Sequence, residues 1–424
     1  SMMESFIRQM EAFNHCKKIS RHLYKVRDRV FTIAGLSISN CTFIEGESGL
    51  IVFDTGNNIG QGKEMLEKIR EVSDKPISAV IYSHHHYTGG TRLFVENDQG
   101  DACAIYGHPK IEHNRRETFL GFGRMQMRRG SIQVGQYLPD EGEDAAVGMT
   151  EPRYEDPELN KNGHLPVTHE VADQEEVVID GLTARFYHVV ADTDDSLAVW
   201  FPELDTVLHN AAMMRLLYPF YTLRGDFYRS PGGAIKGIDV MRYIRPEFLV
   251  GCHGAPFIGR EETYQALTRV RDGYAFLYQQ AVRAINRGLS PDQMVRDIQL
   301  PDHLKNDPLL YEGYVRTDYA IRGFYRGIVG WFAEDTADLN PPPPDILARE
   351  IVDGFGGPDR VIRRCQILFE HHKFELVAKL ITYVLQVDPE NSPARQMKAD
   401  ALRVMAQLSP DIQSRHFYLT QALG

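Results

Sequence analysis

The stretch Ala79-Val80-Ile81-Tyr82-Ser83-His84-His85-His86-Tyr87-Thr88-Gly89-Gly90 constrains this chain more than any other. An apolar, β-branched run ends abruptly in three histidines and a glycine pair, as a buried strand does when it delivers polar groups at its end. Side chains alternate along an extended backbone, so His84 and His86 fall on one side and His85 on the other. Two imidazoles so spaced can both reach one metal ion. Imidazole suits zinc, iron, copper and nickel. Gly89 and Gly90 let the chain turn tightly into a following helix.

Other apolar runs also end in metal-capable groups. Asp54 follows 49–53, the cluster Asp192, Asp194 and Asp195 follows 183–190, His209 follows 206–208, and His253 follows 248–251. Strand ends are where a sheet protein gathers ligands from distant parts of its sequence. His84, His86, His209, His253 and an acid of the Asp192, Asp194 and Asp195 cluster are therefore candidate ligands. Asp54 reads as a residue that holds the histidine loop through hydrogen bonds. Cys252 reads as a small buried side chain.

Short strands rich in Val, Ile, Phe and Thr are expected at 26–33, 37–45, 49–53, 78–83, 102–106, 176–179, 183–190, 197–201, 206–208 and 248–251. Helices are expected at 60–73, where Met65, Leu66 and Ile69 have helical spacing, and after Gly90. Residues 4–23 read as a helical or irregular lead-in. Residues 121–171 lose the pattern, carry Arg124, Arg128 and Arg129, and read as a long irregular cover. After about residue 260 strands vanish. Helices are expected at 262–288, 291–298, 307–332, 344–353, 358–370, 374–387 and 392–407. The last two, joined by Asp388-Pro389-Glu390-Asn391, resemble a tetratricopeptide-type hairpin. The chain thus divides into an α/β part, 1–260, and an all-α part, 261–424.

A length of 424 residues fits two or three domains. A net charge of -11 argues against nucleic acid or an anionic membrane as the main partner. No run reaches the roughly 20 apolar residues that span a bilayer, and the first residues do not read as a signal peptide. Five scattered cysteines, Cys16, Cys41, Cys103, Cys252 and Cys365, fit free thiols in a reducing cytoplasm.

With Phe53-Asp54-Thr55-Gly56, Ser83-His84-His85-His86, Ala191-Asp192-Thr193-Asp194-Asp195-Ser196-Leu197 and Cys252-His253-Gly254, the chain resembles the metallo-β-lactamase superfamily. More narrowly it resembles the alkylsulfatase branch. Tyr221-Thr222-Leu223-Arg224-Gly225 looks like that branch's sulfate-site segment. Gly327-Ile328-Val329-Gly330-Trp331-Phe332 and Leu339-Asn340-Pro341 look like its all-α dimerisation domain. The resemblance implies an αββα sandwich followed by helices; the sterol-carrier-like third domain that many members carry is not found in this sequence. It implies a metal-dependent hydrolase of an anionic small-molecule ester, and a homodimer. Arg224 would bind the anion, Tyr87 or Tyr221 would orient the substrate, and an unligated Asp192 or Asp195 would act as general base.

The departures from the family pattern are specific. The superfamily motif His-x-His-x-Asp-His-x-Gly-Gly is two residues longer than His84 to Gly90, and its Asp-His pair is missing here. Counted back from Gly89-Gly90 without a gap, His86 takes the Asp place and Tyr82 and Tyr87 take two His places. Alkylsulfatases place a ligating Glu nearest Asp195, whereas the wider family has a His where Asp192 stands. The expected bridging acid falls at His209-Asn210-Ala211, and Pro219 replaces an Asn five residues before Arg224. Two metals need about six to eight donors. The remaining set suits one tight ion, zinc by family and iron as the alternative. Two histidines and a carboxylate also suit Fe(II) oxygenase or lyase chemistry. A metal-free binding or scaffold protein is the third possibility.

Overall fold

The computed structural model describes residues 22–96, 103–148 and 151–424. The expected lead-in over 4–23 lies outside them except for its last two residues, which open the first strand.

Seven strands form one sheet in sequence order: β1 (His22–Arg27), β2 (Val30–Ala34), β3 (Cys41–Glu45), β4 (Leu50–Phe53), β5 (Ile77–Ile81), β6 (Ala104–Gly107) and β7 (His169–Glu170). β1 to β4 are an antiparallel meander. From β4 onward the pairing is parallel, so a helical crossover, α1 (Ile59–Arg70), returns the chain between β4 and β5. Asn58 caps α1 by accepting from the Gln61 amide. Helices α2 (Thr91–Glu96), α3 (Ile111–Arg116) and α4 (Gly123–Gln133) follow, with a π-helical turn over Glu117–Gly121 between the last two. The second sheet has the order β13-β12-β11-β10-β9-β8. These are β8 (Glu176–Ile179), β9 (Leu182–His188), β10 (Leu197–Phe201), β11 (Thr206–His209), β12 (Phe248–Gly251) and β13 (Phe257–Ile258). α5 (Pro231–Ile244) makes the crossover between the parallel pair β11 and β12.

Alternation along each strand feeds two different cores. Ile51, Phe53 and Ile81 face Phe186, Val199 and Leu208 between the sheets. Their neighbours Val52 and Val80 face outward onto Met65 and Ile69 of α1 and Phe94 of α2. On the far side, Val207 and Leu249 lie under Ile238 and Met241 of α5 and under Leu267, Val270 and Tyr274 of α6 (Arg260–Asn286). The layers are therefore helix, sheet, sheet, helix. Each such buried side chain contributes roughly 1.5–3 kcal/mol relative to exposure.

Helices follow at α7 (Pro291–Asp297), α8 (Asp302–Lys305), α9 (Thr317–Ile328), α10 (Pro344–Phe355), α11 (Pro358–Glu370), α12 (Phe374–Val387), α13 (Ser392–Leu408) and α14 (Ile412–Leu423). The change at residue 260 is not a break in packing, because Ile321 and Phe324 of α9 join the core formed by α5 and α6. Helices α10 to α13 have their own core around Val352, Val361, Val377, Ile381, Val384 and Ala401. The single helix expected over 307–332 is interrupted near Gly313, where an added Cβ would lie 2.9 Å from the Tyr311 ring. The expected irregular cover includes α4, and α14 was not expected. Among the described residues no helix is long and apolar enough to cross a membrane.

Several backbone contacts bring the functional loops to one end of the sandwich. Phe53 and Ile81 end adjacent parallel strands side by side. The Leu197 amide donates to the Ser83 carbonyl at 2.9 Å, tying the second sheet to the end of the first. The loop after β5 is strapped to the loop after β4, with Thr55 N donating to Tyr87 O (2.9 Å) and Gly89 N to Gly56 O (2.7 Å). Gly62 of α1 then meets Gly90 backbone to backbone, and a Cβ on Gly62 would lie 2.7 Å from the Gly90 Cα.

Candidate metal centre

His84, His86 and Asp192 present donor atoms that all lie within 4.8 Å of one another. His84 Nε2 is 3.5 Å and His86 Nδ1 is 3.4 Å from Asp192 Oδ2. The local chain explains the convergence. Asp54, fully buried and at φ 66°, turns its carboxylate back onto the start of the histidine loop. Its Oδ1 accepts from Ser83 N at 2.8 Å and its Oδ2 from the Ser83 hydroxyl at 2.6 Å. Since that hydroxyl donates to Asp54, His84 Nδ1, 2.7 Å away, must donate to it. In the neutral ring this leaves His84 Nε2 unprotonated, and the atom is buried and without a hydrogen-bond partner. That is the state a metal ligand requires.

Against the desolvation of burial, Asp192, with Asp195 and Asp54, raises the His84 imidazole, so positive charge is favoured where its Nε2 points. Burial pushes the His86 imidazole down to about 3, so it stays neutral with a free lone pair. Asp192 is held well below the usual carboxylate range, the desolvation of burial being outweighed by His84 and His86. Burial raises Asp54 to about 7, partly offset by His84 and Ser83. Asn210 Nδ2 donates to Asp192 Oδ1 at 2.6 Å and fixes that carboxylate's direction. Cys252, buried, donates through its thiol to Asn210 Oδ1 at 3.0 Å.

Other residues singled out from the sequence lie elsewhere. His85 points away from the group: its Nδ1 meets Asp195 Oδ2 at 2.8 Å and its Nε2 meets Thr118 Oγ1 at 3.2 Å. Asp195 is thereby occupied, accepting also from the His85 amide and from Thr193, and it does not join the donor group. His209 Nδ1 is bonded to the Asn210 carbonyl, and its ring lies against Gly251. His253 is in the cavity wall with Nδ1 on the Ile38 carbonyl (2.8 Å) and Nε2 3.4 Å from the Tyr87 hydroxyl. Neither histidine joins the group. Tyr82 reaches Thr91 and the Leu165 carbonyl instead of the histidines. Tyr221 packs on Gly323 of α9, outside the cavity wall.

A cavity of about 200 Å³ opens beside the group. His86, Tyr87, Asp192, His253, Arg224 and Arg229 all line it. Ile38, Val134, Met214, Leu216 and Ile412 make the rest largely apolar. Tyr218, Arg229, Gln133 and His416 were not singled out from the sequence. Tyr218 and Arg229 flank the Arg224 segment closely enough that Arg224-Gly225-Asp226-Phe227-Tyr228-Arg229 could have drawn attention. Gln133 and His416 come from irregularly patterned stretches and carried no signal.

The Arg224 segment is held by two buried glutamines. Gln133 Oε1 accepts from Thr222 Oγ1 and from Arg224 N, both at 2.8 Å. Gln413 Oε1, on α14, accepts from Leu223 N at 2.9 Å. α14 also contributes His416, whose Nδ1 donates to the Gln133 carbonyl (2.7 Å) while its Nε2 accepts from Val147 N (3.0 Å).

Comparisons with known proteins agree with this architecture. Residues 34–209 match the metallo-beta-lactamase superfamily, and residues 290–424 match the alkyl sulfatase dimerisation family. A linear primary-alkylsulfatase of Pseudomonas sp. is 31% identical over 388 residues, covering 90% of this chain and 72% of that enzyme. The alkyl/aryl-sulfatase BDS1 of Saccharomyces cerevisiae is 26% identical over 418 residues, covering 95% of this chain and 63% of its own. The fold matches that of the stereoselective inverting sec-alkylsulfatase Pisa1 of Pseudomonas sp., with a TM-score of 0.88 at 24% identity over 95% of this chain and 65% of that one. The chain belongs to the alkylsulfatase family within the metallo-β-lactamase superfamily. Its named relatives are hydrolases of sulfate esters, and it spans roughly two thirds of their length.

Burial pushes His416 down to about 4, with the Gln133 carbonyl opposing. Unfolded, its pKa returns to about 6.5. The stability that comes from keeping it neutral is present above pH 6.5 and is lost as pH falls toward 4, up to about 3 kcal/mol. Urea unfolding at pH 7 and pH 4.5 should therefore show a smaller acid loss in His416→Gln than in the unaltered chain. Equal losses would mean that His416 is not held neutral in the fold.

Proposed function

We propose that this chain is a metal-dependent hydrolase that cleaves the sulfate ester of an anionic small molecule with an apolar tail. The observation that supports it best is the position of the His84–His86–Asp192 group at the wall of a mainly apolar cavity that also presents Arg224. His84, His86 and Asp192 would hold one zinc ion. Bound there, it would lower the pKa of a coordinated water toward about 7 and so supply hydroxide at neutral pH. Arg224 neutralises the ester's anionic group through its planar fork. Ile38, Met214, Leu216 and Ile412 hold the hydrocarbon and exclude water from the reacting end. Tyr87, edge-on to His84 and reaching toward His253, walls the group on one side. The set of two histidines and one carboxylate also suits Fe(II). Metal identity together with an anaerobic assay separates that reading.

The division at residue 260 is supported by the switch from mixed elements to helices alone. A homodimer through the second part is supported by the family match of residues 290–424 and by exposed apolar side chains there, including Val329, Leu339, Ile346 and Trp331, which is 64% exposed. Buried free thiols at Cys41, Cys252 and Cys365 support a reducing compartment such as the cytoplasm.

Elemental analysis after exhaustive dialysis should find one metal per chain. His84→Ala should lose it and His85→Ala should keep it. Two retained equivalents would mean that further ligands, His253 or His209 among them, take part. The activity itself is tested on a medium-chain alkyl sulfate, with release of inorganic sulfate as the readout. Arg224→Lys keeps the charge but loses the fork, so KM should rise about tenfold or more. Unchanged kinetics would remove Arg224 from the site. Sedimentation at low micromolar concentration should give a dimer mass, shifting toward monomer in Trp331→Asp. A monomer mass for the unaltered chain would rule out the dimer.

A further inference from the structure

Two arginines in the cavity wall share one acid. Arg224 Nη2 and Arg229 Nη2 both donate to Asp226 Oδ2, each at 3.1 Å. Asp226 Oδ1 accepts from the Phe227 amide at 2.9 Å. The Asp226 side chain is 6% exposed and lies behind the arginines, outside the cavity wall. Against the desolvation of burial, Arg229 and Arg224 hold its carboxyl below the usual range, so it is charged. Arg229 is fixed on its other side by the Pro219 carbonyl at 2.6 Å. Its buried Nε has no hydrogen-bond partner, and neither has the hydroxyl of Tyr218, fully buried in the same wall.

The cradle therefore has unspent donors and a fixed formal charge. Two guanidiniums and one carboxylate give a net charge of plus one. Arg129 does not alter this at the wall, since it lies outside the lining and its Nη2 is bonded to the Leu223 carbonyl at 2.6 Å. Asp192, His86 and His253 line the same cavity, and Asp192 also acts on Arg229, an influence that stays the same whichever residue stands at position 226. A sulfate monoester carries one negative charge, whereas a phosphate monoester of the same shape carries up to two. Their tetrahedral heads are too alike for shape to separate them, but charge can.

We infer that Asp226 sets the site's preference for singly charged over doubly charged esters, by holding the two-arginine cradle at a net charge of one. This rests on the anion-binding reading of the cavity given above. Asp226 touches no substrate and acts through Arg224 and Arg229, so it is a positioning and charge-setting residue. Coulomb attraction scales with the ligand's charge. Removing the carboxylate's charge should thus favour a dianion over a monoanion by one further unit-charge interaction, roughly tenfold.

The test is calorimetric binding of octanesulfonate and octylphosphonate to the metal-loaded protein, at a pH where the phosphonate is a dianion. The two ligands share a tail and a tetrahedral head and differ by one charge. Any preference of the metal for phosphonate cancels when the affinity ratio is compared between proteins. Asp226→Asn should shift that ratio toward the phosphonate about tenfold. Asp226→Glu keeps the charge but changes the reach, and should leave the ratio within about twofold even if both ligands bind more weakly. Equal effects on both ligands in Asp226→Asn, or as large a shift in Asp226→Glu, would reduce Asp226 to a tether and overturn the inference. Should Asp226→Asn fail to fold, Arg224→Gln lowers the cradle to neutral, and the ratio must move about as far toward the sulfonate. An unmoved ratio there also overturns it. If octanesulfonate does not bind the unaltered protein, the anion-binding reading itself fails.

Discussion

The site depends on the grip of one buried carboxylate on one serine. Asp54 takes both the amide and the hydroxyl of Ser83, and the same hydroxyl takes the proton of His84 Nδ1. This short chain of bonds fixes the tautomer and the direction of His84. It also pins the point where the first sheet meets the second, since the Ser83 carbonyl accepts from Leu197. Asp54 reaches Ser83 from a left-handed backbone, a conformation that Asp adopts more readily than most residues. An amide at this position would keep the shape but could accept through only one oxygen.

Around that grip, the family pattern has been altered without the site falling apart. In His209-Asn210-Ala211, where a bridging acid is expected, Asn210 steers Asp192 by donating to its Oδ1. Asp195, nearest the place where alkylsulfatases put a ligating Glu, is occupied by the third histidine of the loop. His85 is therefore a strut: it joins the loop to the segment after β9 and, through Thr118, to the π-helical turn. A shortened histidine motif gives a smaller donor group on an otherwise intact frame.

The parts of the fold that could be read in the sequence are those with simple periodicity. β4 and β5 are almost entirely apolar because both faces are buried, one against the other sheet and one against α1. Helices α11 to α13 show clean apolar stripes. α14 does not, because it buries Gln413, Ser414, Arg415 and His416, all polar: Gln413, Arg415 and His416 bond to distant segments, and the Ser414 hydroxyl meets that of Tyr319 on α9. Pattern reasoning takes such a segment for surface. α4 fails for a related reason: Gly123, Gly130 and its arginines give no stripe, and it is held by contacts such as Arg129 to the Leu223 carbonyl. His84, His86 and Asp54 could be read because strand ends and spacing constrain them. The choice between Asp192 and Asp195 could not, since their separation on a loop leaves direction open until the partners Asn210 and His85 are placed.

The contribution of α14 to the cavity bears on the order in which the protein can become competent. A ribosome releases the whole donor group once residues up to Asp192 have emerged. Ile412, Gln413 and His416, which complete the wall and hold the Arg224 segment, arrive more than two hundred residues later. A nascent chain thus passes through a long interval in which the three donor side chains are present but the cavity wall is not. The chamber is completed only when residues far down the chain from the donors have folded against it.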